Sequence, residues 1–371
     1  GGVQEAGLWP LVDASGSAQR NRAARSGASR SFQIGLDASW EVDLWGRLRQ
    51  GVNASEADAR AAEASLADVQ VSLAAEVALA YLNLRSLQQR LAIARSNLAS
   101  QRETLQITQW RLQAGLTSSL VAEQARAAAE QTAAQLPAFA SALAQARHSL
   151  AVLTGQAPTA LDAVLAAPAA LPQLPEDGLQ SLPAETLRQR PDVRVAEQRV
   201  QAAWARAAQA DAARYPDFRL GGSVGLQALT WGGLTGGGAV ASALLASLSL
   251  PWFDAGAARA RVRAQEAALA QAVAAYDAVL LNALKDVEDA LVALQGDRER
   301  LLRLQAAAEA AGNAALLAQQ RYRSGLIDFA VVLETQRTQL STQDSVASTA
   351  ASVAADQVRL YKALGGAWGP P

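Results

Sequence analysis

A stretch of 68 residues, from Arg47 to Ala114, most limits what this chain can fold into. It contains no proline, and its only glycine is Gly51. Two rows of apolar residues recur every seven positions: Val77, Leu84, Leu91, Leu98, Leu105 and Leu112, and Leu66, Leu73, Ala80, Leu87 and Ala94. The rows interleave at spacings of three and four, so they share one face of a helix. The pattern predicts a coiled-coil helix about 100 Å long.

The composition narrows the classes of function. Half of the 371 residues are apolar, alanine is abundant and aromatic residues make up only 5%, which suits long, closely packed helices. The formal net charge is −1, so there is no electrostatic case for a nucleic-acid partner. Because cysteine is absent and the one histidine, His148, lies in a helical pattern, we expect no catalytic residue, no cofactor and no metal site.

Two segments near the N-terminus alternate between apolar and polar residues. The alternation is unbroken over 13 residues from Phe32 to Leu44, which predicts a strand. A weaker alternation covers Pro10 to Arg20, and the residues between, Asn21 to Arg30, predict an exposed loop. Together they predict a long β-hairpin. The chain contains no Met and shows no signal peptide, so we expect it to begin inside a longer gene product or to have been processed.

The pattern of a hairpin followed by two helices occurs twice. Alternation returns from Phe218 to Leu226 and from Leu244 to Leu250, with a Gly-rich loop between them. At an offset of 210 residues the halves superpose, and the matched pairs include Gly46 with Gly256, Arg111 with Arg321, Gly115-Leu116 with Gly325-Leu326, and Gly155 with Gly365. This is an internal duplication.

Glycine and proline mark the limits of the predicted helices. Glycines at 115 and 325 end the long helices, and return helices run to about Leu153 and Leu364, the first with a kink predicted at Pro137. The predicted organisation is a first hairpin (1–46), a first helical hairpin (47–154), a linker (155–190), a single helix (191–215), a second hairpin (216–256), a second helical hairpin (257–364) and a tail (365–371).

The second hairpin indicates a membrane. No charged residue occurs from Leu220 to Phe253, but the apolar run there is too short for a transmembrane helix and meets Pro251. A tilted strand with one lipid-facing side fits both hairpins, with candidate lipid-facing residues Leu36, Trp40, Leu248 and Leu250. Four strands cannot close a barrel with a lumen, and open edges are excluded in lipid. Three protomers would supply twelve strands, a size with an open lumen.

Four motifs carry a resemblance to a known family. They are WEVDLWGRLR from Trp40, RPDV from Arg190, YRSG from Tyr322 and YKALGGAW from Tyr361. In this order, on a duplicated frame, they resemble the outer membrane efflux protein family, the TolC-like outer membrane factors, and most of all its lipoprotein branch. The motifs do not cover the signal peptide, the acylated cysteine and the first helix of that branch, and we do not expect to find these in the sequence as given.

The resemblance implies a homotrimer in the outer membrane of a Gram-negative bacterium. A 12-stranded β-barrel would continue as an α-helical barrel across the periplasm to an adaptor protein and an inner-membrane pump of the resistance-nodulation-division (RND) type. The implied function is a passive export duct for drugs, metals or other toxic compounds, not an enzyme. The alternative from the residues alone is a periplasmic coiled-coil adaptor or scaffold, which would have no need of a charge-free hairpin.

The two helical turns are the predicted functional sites. They would form one end of a helical tube, where the family meets its adaptor, and the candidate docking residues are Arg111, Gly115, Leu116, Arg321, Gly325 and Leu326. Tyr322 matches a tyrosine that tethers helices at the family's closed entrance. Glu334 falls near its constricting acidic positions, although Val331 occupies a position often acidic there. Tyr322 and Glu334 are therefore the candidate gate.

Overall fold

The computed structural model describes residues 2–23, 27–172, 188–235 and 240–366. The strands are β1 (Leu11–Ala23), β2 (Gly27–Val42), β3 (Asp217–Ala228) and β4 (Val240–Ser249). The helices are α1 (Gly2–Ala6), α2 (Arg47–Gln113), α3 (Ser119–Ala133), α4 (Gln135–Leu153), α5 (Pro191–Ala212), α6 (Ala257–Arg323) and α7 (Phe329–Ala363). A short 3₁₀ helix covers Trp231–Thr235. The predicted fold class, mainly helical with two β-hairpins, is confirmed.

The chain divides into two compact units. The first, here the strand unit, contains residues 1–66 and 191–280, and the second, the helical unit, contains residues 67–190 and 281–371. The four strands of the strand unit form one antiparallel sheet in the order β1-β2-β3-β4. The two predicted hairpins therefore join through β2 and β3, whose register pairs Phe32 with Ala228 and Val42 with Phe218.

The strand ends differ from the prediction in two places. Residues 21–30 were predicted as a loop, but the ladder between β1 and β2 continues to the pair Ala23 and Gly27, because backbone pairing does not require an apolar side chain. Leu250 was predicted within a strand, but β4 ends at Ser249. Leu250 would stand opposite Pro216 and precedes Pro251, and proline has no backbone N–H to continue the ladder.

A corner connects β2 to α2 at the start of the long helix. Gly46 has a φ of +82°, a conformation that glycine adopts without strain. The carboxylate of Asp43 accepts hydrogen bonds from the backbone N–H of Leu48 (3.0 Å) and of Arg49 (2.8 Å). Burial opposes ionisation, but these bonds and the Arg49 side chain outweigh it and lower the pKa of Asp43. The carboxylate thus caps the N-terminus of α2.

A similar corner lies between β4 and α6. Gly256 has a φ of +88°. Asp254 accepts hydrogen bonds from the backbone N–H of Ala258 (2.7 Å) and of Gly256 (2.9 Å), which lower the pKa of its carboxyl group. The duplication covers the glycine and the capped N–H of Leu48 and Ala258, but not the capping aspartate, since Asp43 corresponds to Phe253.

The core of the helical unit is a set of small clusters along packed helices. Part of the first heptad row is buried, and Leu84, which is fully buried, packs against Leu150 of α4 and against Leu165. On α6 and α7, Val287 and Leu294 pack against Leu360. These pairings join each long helix to its antiparallel return helix, as the heptads predict.

The first return helix is divided at one residue near the predicted kink at Pro137. α3 ends at Ala133 and α4 begins at Gln135, but Ala134 between them has a helical backbone (φ −65°, ψ −19°) and its N–H bonds to the carbonyl of Glu130 at 2.9 Å. Pro137 explains the position of this irregularity: it lacks the N–H that would bond to the carbonyl of Ala133, and its ring crowds that carbonyl. The second return helix, α7, has no proline and is continuous over 35 residues.

The buried Arg190 explains the RPDV motif. Its guanidinium donates to the backbone carbonyls of Ala363 (2.7 Å) and Ala283 (3.4 Å) and lies 3.3 Å from Asp286. The cation therefore satisfies the carbonyl of Ala363 at the C-terminal end of α7, where positive charge is favoured. Of the predicted linker, residues 173–187 lie outside the described residues, as do residues 367–371 of the predicted tail.

Candidate functional site

One face of the sheet is apolar across all four strands. Directly opposed residues of an antiparallel ladder share a face, so the register assigns every position. Leu36 is opposed by Ala14 and Val224, and Trp40 is opposed by Leu220. The apolar part of this face ends where Arg20 lies opposite Arg30, and apart from Ser242 it carries Val12, Ala14, Gly16, Ala18, Phe32, Ile34, Leu36, Ala38, Trp40, Val42, Phe218, Leu220, Gly222, Val224, Leu226, Ala228, Val240, Leu244, Ala246 and Leu248.

The apolar face is uncovered in the protomer. Its large side chains are exposed on every strand, from Val12 on β1 to Leu244 on β4, which is 87% exposed. Of the four residues predicted to face lipid, Leu36, Trp40 and Leu248 lie on this face, whereas Leu250 lies beyond the end of β4. A continuous exposed apolar surface on a soluble monomer would be unfavourable and marks a membrane or partner contact.

The opposite face of the sheet is mainly polar, with Leu11 and Leu245 as its large apolar residues. Ser15 donates a hydrogen bond of 3.1 Å to Asp37 of the neighbouring strand. Glu41 lies opposite Arg219, and their charged groups are 3.6 Å apart. A sheet with one apolar and one polar face suits a barrel wall between lipid and water.

Aromatic side chains border the apolar face at both ends. At one end Phe32 packs edge-to-face against Trp231, with ring centroids 5.4 Å apart. At the other, Trp40 donates a hydrogen bond of 2.9 Å to the carbonyl of Leu8. From Phe32 to Val42 a strand tilted by roughly 40° rises about 25 Å, the height of the apolar band of outer-membrane barrels.

The WEVDLWGRLR motif builds the corner at the end of the sheet. Trp45 stacks on Tyr215 with centroids 4.9 Å apart and donates a hydrogen bond of 2.9 Å to the carbonyl of Pro216. Arg47 pairs with Glu41 and lies 3.8 Å from Asp217. The motif therefore fixes the end of β2 against the start of β3.

The two helical turns have the same geometry. Gly115 and Gly325 have φ angles of +70° and +73°. The N–H of Leu116 bonds to the carbonyl of Arg111 at 2.8 Å, and the N–H of Leu326 bonds to that of Arg321 at 2.9 Å. These are Schellman motifs, which satisfy the carbonyls at a helix end and require a left-handed residue.

The two repeated arginines have different surroundings. Arg111 crosses to the second turn, where it donates a hydrogen bond of 2.6 Å to the carbonyl of Tyr322 and lies 4.7 Å over its ring. Arg321 is exposed, and in the described part of the chain it makes no side-chain hydrogen bond or ion pair. Arg111 therefore holds the two turns together, while Arg321 is available to a partner.

The Tyr322 side chain joins α6 to α2. It is 3% exposed and packs against Phe329 with centroids 5.8 Å apart. Its hydroxyl lies 3.2 Å from the hydroxyl of Thr108, which donates its own proton to the carbonyl of Thr104. Tyr322 is therefore the donor to Thr108. Glu334 is exposed and, among the described residues, makes no hydrogen bond or ion pair with Tyr322, the other candidate gate residue.

The turns expose more apolar surface than the sequence analysis proposed. Leu116 and Leu326 are exposed, Leu326 at 74%, and so are two residues not predicted, Trp110 at 60% and Leu120. Trp110 lies outside both heptad rows of α2, and this departure was the signal that could have identified it. The described ranges contain no cluster of acidic or histidine residues that could hold a metal ion.

Comparison with known proteins decides the family. The family model described as "Outer membrane efflux protein" matches residues 2–156 and 182–366. The chain belongs to this family. Relatives similar to it include the outer membrane protein OprJ of Pseudomonas aeruginosa, 31% identical over 99% of this chain and 78% of OprJ, and the toluene efflux pump outer membrane protein TtgF of Pseudomonas putida, 32% identical over 99% and 77%. The pyoverdine export protein OpmQ of Pseudomonas putida is 34% identical over 96% and 75%.

Solved structures of outer membrane efflux proteins have the same fold. The outer-membrane channel OprN is 36% identical and superposes with a TM-score of 0.95 over 100% of this chain and 84% of its own. The outer membrane protein VceC of Vibrio cholerae is 25% identical, with a TM-score of 0.92 over 99% and 89%. The predictions of an efflux channel in the outer membrane, extending into the periplasm, are confirmed, and the adaptor or scaffold alternative is wrong.

Proposed function

We propose that this outer membrane efflux protein works as a homotrimeric exit duct, in which the apolar face of the sheet contacts lipid and the polar face lines the passage. The observation that carries the proposal is the apolar face itself, which covers four strands and is exposed in the protomer. The chain contributes a passage and no reaction, and the free energy for transport comes from a pump.

The two edge strands of the sheet require pairing with strands of other protomers. β1 and β4 are the edge strands, and in the described residues neither has a second strand beside it. Unpaired backbone N–H and C=O groups cost several kcal/mol each in lipid, so the edges must pair with another protomer. Two copies would give about eight strands, a barrel filled by its own side chains, whereas three give twelve and an open lumen.

Two helices, α2 and α6, could be considered as membrane-spanning segments instead of the sheet, but they do not suit this role. α2 and α6 each contain a window that is long and apolar enough to cross a membrane. Both helices have 67 residues, more than three times the roughly 20 that span a bilayer. Their apolar residues include some that pack against other helices, as Leu84 and Leu294 do. We therefore assign the membrane to the sheet.

The turns at Gly115 and Gly325 are the proposed adaptor-docking site. Each presents an exposed leucine, Leu116 or Leu326, and the second adds Arg321, which has no side-chain partner among the described residues. An exposed apolar knob beside a glycine suits the groove of a partner's helical hairpin. A periplasmic adaptor at this site would connect the duct to an RND-type inner-membrane pump.

Substrate selectivity is proposed to reside in the pump and not in the duct. Relatives of nearly equal identity carry names that refer to toluene, pyoverdine and antibiotics. Such different molecules share no single recognition chemistry, so the passage of this chain is expected to conduct small organic molecules with little selection.

The experiment is reconstitution of the purified protein into planar lipid bilayers. We expect discrete conductance steps from the trimer fraction and none from the same protein dissociated by heat. A trimer fraction that inserts into the bilayer and yet never conducts ions would overturn the duct.

A further inference from the structure

The helical unit contains a cavity of about 890 Å³ beside the junction of α3 and α4. Its walls come from α2, from the end of α3 and the start of α4, and from α7. Ala94, Ala128 and Ala138 line it, and their short side chains leave space between these helices. The volume is in the range of cavities that hold a small organic ligand.

One arginine of the cavity is already neutralised. Arg90 makes a two-pronged ion pair with Asp344, with nitrogen to oxygen distances of 2.6 and 2.9 Å. Its guanidinium also lies 5.3 Å over the ring of Phe139. Arg90 is therefore held in place, and its charge is balanced inside the wall of the cavity.

A second arginine is not neutralised. Arg337, an exposed residue of α7, lines the same cavity and, within the described ranges, makes neither an ion pair nor a side-chain hydrogen bond. Glu334 is one turn before it on the helix, but the two do not pair. Because Asp344 is committed to Arg90, the lining residues offer the charge of Arg337 no carboxylate partner.

A buried amide in the same lining also has an unsatisfied oxygen atom. Gln101 lines the cavity from α2, is only 5% exposed, and its Oε1 makes no hydrogen bond to any described residue. Its neighbours on the helix, Asn97 and Thr104, do bond to α7, through Gln343 at 2.8 Å and Gln336 at 3.0 Å. The amide oxygen of Gln101 thus remains without a hydrogen bond while its neighbours on the helix have theirs. Burying it in this state lowers the stability of the folded chain, and a hydrogen bond to a polar ligand would offset that cost.

From the cavity, the uncompensated Arg337 and the unbonded Gln101, we propose a binding site for a small aromatic carboxylate. The carboxylate binds the guanidinium of Arg337 and the amide of Gln101, whose oxygen and nitrogen can exchange places by rotation of the amide. The ring lies among Leu87, Leu340 and Phe139. A neutral aromatic molecule would leave the charge of Arg337 unused, and an aliphatic acid would fill the apolar part poorly.

The test is equilibrium binding of 2-naphthoate to the detergent-solubilised full chain, followed by its fluorescence. We expect saturable binding of 2-naphthoate, and affinities for 2-naphthol and for cyclohexanecarboxylate that are each lower by about tenfold or more. Arg337→Gln should lower the affinity for 2-naphthoate by about tenfold, since it removes the charge. Arg303→Gln is the matched control and should bind normally, because Arg303 is an exposed arginine of α6 outside the cavity lining.

Two further variants separate a filled cavity from a misfolded chain. Ala138 is exposed and lines the cavity, so Ala138→Trp should fill it and abolish binding without disturbing the core. Gln101→Leu should lower the affinity for 2-naphthoate more than the affinity for 2-naphthol. The thermal unfolding of each variant is followed by circular dichroism to show that it is folded. Equal binding of 2-naphthoate and 2-naphthol, or full binding by folded Arg337→Gln or Ala138→Trp, would overturn the site.

Discussion

Gly365 packs directly against Arg190: a Cβ atom placed on the glycine would lie 3.2 Å from both Cα and Cγ of the arginine. The φ of Gly365 is also positive, at +91°. The RPDV motif and the YKALGGAW motif, which are far apart in the sequence, therefore meet at one point. Glycine is required there twice, once for its backbone conformation and once for space.

We expect Gly365→Ala to destabilise the protein more than Gly155→Ala, its counterpart in the repeat. Gly155 has a φ of +73°, but a Cβ atom at this position would have no neighbour within 4 Å, so its substitution costs only backbone strain, about 1 kcal/mol. Gly365→Ala adds crowding against Arg190, for a total of about 2–3 kcal/mol. The check is the thermal unfolding midpoint of both variants, and equal midpoints would show that the contact with Arg190 has no energetic weight.

Lysine on the apolar face of the sheet should prevent assembly. Leu36→Lys places a charge in lipid near the middle of the strand, at a cost of about 2–4 kcal/mol per protomer. Gln33→Lys, on the polar face of the same strand, is the matched control and should assemble normally. Oligomer bands on semi-native gels report the result. Normal assembly of Leu36→Lys, or failure of Gln33→Lys alone, would reverse the assignment of the faces.

Removal of the Tyr322 hydroxyl should loosen the turns. Tyr322→Phe loses the hydrogen bond to Thr108, worth about 1 kcal/mol, which raises the population of an open entrance by about fivefold. Single-channel conductance should rise, and adding Glu334→Ala should raise it further if the acidic residue meets another protomer. Tyr276→Phe, outside the turns, serves as the control. Unchanged conductance in the double variant would place the gate elsewhere.

Bulky residues at the turns should block the adaptor and leave the trimer intact. Gly115→Trp and Gly325→Trp add an indole at open positions, where nothing but the far end of Arg111 lies within 4 Å. Gly155→Trp carries the same backbone strain away from the turns. We expect the two turn variants, but not Gly155→Trp, to lose adaptor crosslinking and export. Persistent crosslinking with full export would show that the adaptor docks at another surface.

The sequence predicts the parts of this fold that follow from local periodicity. Alternation from Phe32 and the heptads through Leu84 indicate the strands and helices, and the offset of 210 relates the two corners at Gly46 and Gly256. Local patterns do not predict that the apolar sides of all four strands form one continuous face. That depends on the strand register, which places Leu36 opposite Val224 and is not specified by any local pattern.

Contacts between distant residues and the ends of elements do not follow from local patterns. Arg111 and Arg321 occupy equivalent positions of the repeat, yet among the described residues only Arg111 finds a partner across the turns. The strands continue through residues 21–23 and 27–29 because backbone pairing outweighs the loop composition there. Pro137 predicts a kink, but not the cavity beside it, which depends on how α2 and α7 pack around the junction of α3 and α4.

If the open edges of this four-stranded sheet close through two further copies of the chain, the particle is a trimer. Its protein mass can be measured in mild detergent, by native mass spectrometry or by light scattering corrected for bound detergent. We expect three copies of the 38.6 kDa chain. A stable, folded monomer with its apolar face covered only by detergent would contradict it.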